Sequence, residues 1–175
     1  MECVVCKTDA DLDTRVCHSC GVQLVNEDDI KSYDEISIEW VKDAFVSWNW
    51  EIIDNERKDS YFSIEKDGFV VAVLNFLNMR TLMFSIQIPI KDKFKKNIPE
   101  ILQKVNTVNL TYPYAVFKVG EDEEGSNILV TSTLFICEKI SSKDILGFVE
   151  LFVSNTTAAI DEENLYKYAK YINVN

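Results

Sequence analysis

The stretch TLMFSIQIPI, residues 81–90, alternates large apolar side chains with smaller or polar ones at a period of two. Its strongest apolar set falls on one side of an extended chain and consists of Leu82, Phe84, Ile86 and Ile88. The other side carries Met83, Ser85 and Gln87. Because successive side chains of a strand point to opposite faces, this pattern predicts an antiparallel strand with one face packed on a core.

Three segments upstream of this strand are also rich in β-branched and aromatic residues. They are EIID at 51–54, SYFSIEK at 60–66 and FVVAVLNFL at 69–77. The turn sequences NERKD, KDG and NMR separate the four segments, so we expect a run of three or four strands joined by short turns.

Two helices are predicted on either side of this run of strands. The first begins after Ser37 as N-cap and ends near Trp48 to Trp50. Its buried face is expected to consist of Val41, Ala44, Phe45 and Trp48. The second spans about 99–110 and ends before Pro113. Its inner side is expected to consist of Ile101, Leu102, Val105 and Val108.

The last third of the chain predicts a hairpin followed by a helix. The strands YAVFKVG (114–120) and NILVTSTLFICEKI (127–140) are joined by the acidic turn EDEEGS. Ser141 and Asp144 then open a final helix. Its apolar face is expected to consist of Ile145, Val149, Phe152, Thr156 and Ala159. The resulting order, α-βββ-α-ββ-α, predicts an α+β fold in which the helices cover one face of an antiparallel sheet.

The N-terminus predicts a metal site. Two Cys-x-x-Cys pairs, Cys3 with Cys6 and Cys17 with Cys20, are separated by ten residues and have few apolar neighbours. Four thiolates at this spacing are typical of one structural Zn²⁺ per chain, and they leave no open position for catalysis. A redox dithiol, an iron centre and an unstructured thiol tail are the alternatives, and His18 could replace one cysteine as a ligand.

The segment CVVCKTDADLDTRVCHSCGVQLV resembles the short zinc-ribbon module found at the front of many bacterial proteins. Gly21 after the second pair fits the pattern of that module, whereas Lys7 stands where the first pair usually has glycine. The resemblance covers residues 1–25. The polar, acidic segment NEDDIKSYDE at 26–35 is then interpreted as a linker to a domain over 36–175.

The larger domain is similar to the YbjN-like family, bacterial proteins to which a sensory-transduction role has been ascribed. The resemblance lies in the order of elements and in stretches such as FSIEKDGFVVAV, MFSIQIPI and ILQKVNTVNLTYPYAVFKV. It implies the fold of the type III secretion chaperones. It also implies a non-enzymatic domain that binds a polypeptide or regulates, and that is commonly dimeric in the chaperone branch.

The composition and the absence of common catalytic motifs reduce the range of expected functions. The formal charge of −11 repels phosphate backbones, so nucleic-acid binding is not favoured. The sole histidine is His18, and no nucleophile elbow, phosphate loop or dinucleotide fingerprint occurs, so we expect no enzyme and no catalytic residues. The acidic runs at 121–124 and 161–163 are interpreted as a solvated turn and a helix surface.

Localisation is expected to be cytoplasmic. No basic region followed by an apolar run stands at the N-terminus, as a secretory signal would require. The longest apolar stretch, 69–77, has half the length of a membrane helix.

Several individual residues carry further expectations. Cys137 is predicted to be buried and inert, Trp40 to make a surface contact, and the lysines of 91–96 to be solvated. Val71, Val73 and Leu129 are expected on the face opposite the helices, where apolar surface would support a homodimer.

These observations favour a cytoplasmic protein-binding adaptor or chaperone-like regulator with a structural zinc ribbon. The alternative is a zinc-ribbon transcription or signalling regulator that contacts nucleic acid. A metal-dependent hydrolase using the acidic runs is a third hypothesis.

Overall fold

A computed structural model describes residues 6–8, 19–20, 30–53, 61–122 and 125–170. Within these ranges the elements are β1 (Ile30–Ser32), α1 (Ile38–Ser47), β2 (Glu51–Ile53), β3 (Tyr61–Lys66), β4 (Phe69–Phe76), β5 (Thr81–Pro89), α2 (Ile98–Thr111), β6 (Val116–Asp122), β7 (Gly125–Phe135), β8 (Lys139–Ser141) and α3 (Ser142–Glu162). The predicted α+β class is confirmed. The first group of strands has four members because the short β2 joins the sheet.

The main sheet has six strands in the order β2-β3-β4-β5-β7-β6, and every neighbouring pair is antiparallel. The predicted strand at 81–90 is β5, which lies between β4 and β7. Its register with β7 runs from Thr81 opposite Phe135 to Pro89 opposite Asn127. The alternation in 81–90 therefore belongs to a central strand with one covered face.

The helices pack against one face of this sheet. Phe45 of α1 contacts Phe62 of β3 at 6.1 Å between ring centroids, and Phe148 of α3 lies 5.5 Å from Phe84 of β5. The predicted faces of α1 and α3 are confirmed, except that Trp48 is only half-buried. One hydrophobic core thus joins the helices to the alternate strand residues that include Leu82, Phe84, Ile86 and Ile88.

Two expectations about faces are wrong. Val71 and Val73 are fully buried on the helix side, where they lie opposite Ile64 and Phe62 of β3. The error arose because β4 is apolar at nearly every position, so its sequence does not indicate which of its two sides is buried. In α2, Leu102 is 41% exposed, whereas Ile101, Val105 and Val108 form the buried face. Leu102 points away from that face because successive residues of a helix are rotated by about 100° around its axis.

Part of the predicted linker is folded. Residues Ile30–Ser32 form β1, which pairs with β8, and a 3-10 turn follows over Tyr33–Glu35. The Tyr33 ring packs under the guanidinium of Arg80 at 4.3 Å, and its hydroxyl donates to the Leu77 carbonyl. These contacts attach residues 30–35 to the end of the sheet, and the rest of the predicted linker, 26–29, lies outside the described residues.

Candidate functional site on the open face of the sheet

In the described part of the sheet, the face opposite the helices contributes no residue to the core, and we call it the open face. Three rows of side chains cross it from strand to strand. The first row is Phe76, Thr81 and Phe135. The second is Tyr61, Leu74, Met83 and Thr133. The third is Ser63, Ala72, Ser85, Thr131 and Val116. Cross-strand register places each row's members side by side.

None of these side chains is charged, although 27% of the chain's residues are Asp, Glu, Lys or Arg. Val116 is 47% exposed and Phe135 is 72% exposed. Beyond the third row, the face also presents Val70, which is 47% exposed, and the half-buried Leu129 predicted there. Charged residues occur at its borders, as Glu65 of β3 and Lys118 of β6. An uncharged, partly apolar surface of this kind is typical of the centre of a protein–protein interface.

Asn109 of α2 covers part of the sheet edge beside this face. Its side-chain nitrogen donates to the Phe117 carbonyl at 2.9 Å, and its oxygen accepts from the Phe117 N–H at 2.8 Å. Both outward backbone groups of Phe117 on the edge strand β6 are therefore satisfied within the chain. This pairing occupies the outward backbone groups of one residue of the edge strand and hinders the addition of another strand at that position.

The predicted zinc ligands are only partly described. Cys3, Cys17, His18 and Gly21 lie outside the described residues. Cys6 is half-buried, with its thiol 3.3 Å from the Thr8 hydroxyl, and Cys20 is exposed. Elsewhere in the described ranges, no three His, Cys, Asp or Glu side chains gather where they could hold a metal ion. The zinc site therefore stays a prediction.

One backbone observation fits a zinc knuckle. Lys7 has a φ of 59°, in the left-handed region that favours glycine. This is the position after the first Cys pair, where ribbon modules usually have glycine. The chain thus makes the left-handed turn without glycine there, so the residues present are compatible with a knuckle.

Other predicted sites have mixed outcomes. Cys137 is exposed, so the expectation of a buried thiol is wrong: β7 ends at Phe135, and the chain then leaves the sheet. Trp40 is half-buried and packs against the core, which leaves only part of it for a surface contact. Lys93, Lys95 and Lys96 are exposed, as expected, whereas Lys91 is half-buried and its Nζ donates to the Lys167 carbonyl.

The predicted acidic sites are solvated where they are described. Glu121 of the 121–124 run is exposed, whereas residues 123–124 lie outside the described ranges. Of the 161–163 run, Asp161 and Glu162 are exposed, and Glu163 pairs with Lys104 at 3.7 Å. No helix in the described ranges has both the length and the hydrophobicity needed to cross a membrane.

Neither a family model nor a curated protein matches the sequence. The fold does resemble solved structures. One is the crystal structure of YbjN from E. coli, to which a role as transcription regulator has provisionally been ascribed, with 10% sequence identity and a TM-score of 0.63 over 78% of this chain and 97% of that one. Another is an uncharacterised protein from Methanothermobacter thermautotrophicus, with 10% identity and a TM-score of 0.55 over 75% and 99% of the two chains. The chain therefore has a YbjN-like α+β fold.

Proposed function

We propose that this chain is a non-enzymatic, cytoplasmic regulator that binds another protein on the open face of its sheet. The observation that carries the proposal is the set of three uncharged rows in a chain whose formal charge is −11. A solvated sheet face in so acidic a chain would be expected to carry several charged side chains. Their absence from these three rows favours a central surface that is covered by another polypeptide.

The chemistry of the face suggests what the partner presents. Apolar side chains would contact Leu74, Met83 and Val116, because no side chain in the three rows carries a charge. The net negative charge of the chain attracts cationic partners over longer distances. We therefore assign to the face a segment of another protein in which an apolar stripe is flanked by basic residues.

A regulatory role is part of the same proposal. The role ascribed to YbjN supports it, and so does the absence from the sequence of the common catalytic motifs. We also propose that the N-terminal segment binds one structural zinc ion through Cys3, Cys6, Cys17 and Cys20, with the conformation of Lys7 as support. The ion would hold the short ribbon together and take no part in catalysis.

Site-specific photo-crosslinking tests the binding face. A photoreactive residue is placed at Thr133 in the second row, and separately at the exposed Lys143 on the helix side. We expect irradiation in native lysate to attach a different protein through Thr133 only. Partner identification would then reveal an apolar segment with basic flanks.

Two valine substitutions provide the matched control. Val116→Arg places a charge on the open face, whereas Val46→Arg places the same charge on the outer side of α1, where valine is 56% exposed. The adduct should be lost in the first variant and kept in the second. An adduct only at Lys143, an adduct to nucleic acid, or an adduct to a second copy of this chain would each overturn the proposal. The nucleic-acid result would favour the alternative regulator, and the second-copy result would assign the face to a homodimer.

A further inference from the structure

A pocket of about 560 Å³ lies at the end of the molecule where the segment after α3 meets the start of α2. Its volume is within the range of about 300–1,000 Å³ that is usual for small-molecule sites. Three lysines line it, Lys91 before α2, Lys104 within α2 and Lys167 after α3. The fold therefore brings together ammonium groups that are far apart in the sequence, and we call this site the lysine pocket.

Main-chain carbonyls hold two of these ammonium groups in place. Lys104 Nζ donates to the Glu163 carbonyl at 2.7 Å, and Lys91 Nζ donates to the Lys167 carbonyl at 3.3 Å. Since an ammonium group has three N–H donors, each of the two can still donate to a bound molecule. Because these hydrogen bonds already order the two long side chains before a ligand arrives, binding costs less conformational entropy.

Among the described residues that line the pocket, Glu100 supplies a carboxylate, and protein groups already engage both of its oxygens. Oε1 accepts from the Tyr168 hydroxyl at 2.5 Å, and Oε2 accepts from the Asn97 amide at 3.0 Å. These hydrogen bonds lower the pKa of Glu100 and favour its charged form, and its Oε1 lies 4.0 Å from Lys167 Nζ. Lys104 Nζ also lies 3.7 Å from the Glu163 carboxylate, so the three lysines face two carboxylates and keep an excess of one positive charge in a chain of net charge −11.

We propose that the lysine pocket binds a small molecule that carries a phosphate group. Phosphate has the charge and the several acceptor oxygens that separate ammonium donors suit. The acidity of the whole chain disfavours a nucleic-acid backbone, and the limited volume also favours a small ligand. Tyr166, which is 44% exposed, lines the same pocket and offers apolar surface for the rest of such a molecule. This site is separate from the protein-binding face.

Calorimetric titration of the full chain with inorganic pyrophosphate and with a nucleoside monophosphate tests the proposal, with citrate as a phosphate-free polyanion. We expect at least one of the phosphate compounds to bind at one site per chain, and Lys167→Gln and Lys91→Gln to weaken that binding at least tenfold. Lys93→Gln is the matched control, because Lys93 is exposed and does not line the pocket. It should change the affinity less than twofold.

Folding is checked by thermal unfolding of each variant, and using two pocket variants separates a lost ligand contact from a local folding defect. Absence of binding by both phosphate compounds, equal weakening in Lys93→Gln, or citrate binding as tight as phosphate binding would each overturn the assignment. None of these outcomes affects the crosslinking test of the open face.

Discussion

Asn109 shows how a single side chain replaces a missing strand. Its amide satisfies the N–H and the carbonyl of Phe117 on the edge strand β6. We expect Asn109→Ala to lower the free energy of unfolding by about 1–3 kcal/mol, because two backbone groups lose their partners. Denaturant unfolding measures this loss.

Asn155→Ala is the control for that measurement. Asn155 is half-buried, and its amide donates to the Leu151 carbonyl in a solvent-exposed hydrogen bond within the same helix. A loss below about 0.5 kcal/mol is expected there. Equal losses in the two variants would contradict the role given to Asn109 at the sheet edge.

Tyr168 and Glu100 form a pair whose pKa values shift in opposite directions. The hydroxyl of Tyr168 donates to Glu100 and, with Asn97, lowers the pKa of that carboxyl. Burial, followed by the contact with Glu100, raises the pKa of Tyr168 to about 12. The contribution of Glu100 to stability is therefore present above its ordinary pKa and is lost as the pH falls through its lowered value. The contribution of Tyr168 is present below its ordinary pKa and is lost as the pH rises toward 12.

Tyr168→Phe should flatten both limbs of the pH–stability profile, since it removes the phenol and the first cause of the Glu100 shift. Tyr112→Phe is the control, because a hydrogen bond to Glu162 raises the pKa of Tyr112 to about 12 as well. It should flatten the alkaline limb only. The test is to measure the free energy of unfolding of each variant as a function of pH. An unchanged acid limb in Tyr168→Phe would contradict the role given to the Tyr168–Glu100 hydrogen bond.

At the scale of elements, α3 begins at a reciprocal cap. The Asp144 N–H donates to Ser141 Oγ at 3.2 Å, and the Ser141 N–H donates to Asp144 Oδ2 at 2.9 Å. Ser37 caps α1 more simply, through one bond from the Trp40 N–H. The two helices thus start with the same residue type in different settings.

We expect Ser141→Ala to cost about 1–2 kcal/mol and Ser37→Ala about 0.5–1 kcal/mol. The larger loss at Ser141 follows because its hydroxyl is buried and because the Asp144 carboxylate also loses the bond from that hydroxyl. Chemical denaturation of both variants provides the comparison. A larger loss at Ser37 would show that the reciprocal cap adds nothing.

The sheet illustrates which elements a linear pattern can locate. The spans predicted for β3, β4 and β5 and the turns at KDG and NMR match the structure to within about two residues, because these sequences favour turns. The turn predicted at 55–59 lies outside the described residues. The side of β4 that is buried was not predictable from the strand itself. Only the register that places Val73 between Phe62 and Phe84 decides it.

At the scale of the whole molecule, metal content and assembly remain predictions that one measurement addresses. Native mass spectrometry should show one zinc ion per chain, lost on treatment with a strong chelator. Cys6→Ser should abolish retention of the ion, whereas Cys137→Ser should leave it intact, because Cys137 lies after β7 and far from the ribbon in sequence. Metal-free protein with oxidised cysteines would contradict the ribbon. The same spectra test the dimer expected from the sequence, which the proposed function requires to form away from the open face. A monomer at high micromolar concentration would contradict that dimer.

The candidate sites depended on tertiary structure more than the elements did. The period-two strands indicated an apolar face, yet two of the three residues named for it, Val71 and Val73, are in the core. The sequence pattern did not indicate the lysine pocket beyond the basic run at 91–96. Lys104 and Lys167 come together there only through the packing of α2 against the segment after α3.

By itself the sequence determined the α+β class, the strand at 81–90, the helix starts after Ser37 and Ser141, and the cysteine pattern that predicts zinc. Periodicity, caps and turns are local properties, and local residues are enough to specify them. Only the tertiary structure decided which face of the sheet stays open, that Cys137 is exposed, and that Asn109 meets Phe117. Those outcomes depend on strand register and on contacts between distant segments, whose energies no short stretch of sequence contains.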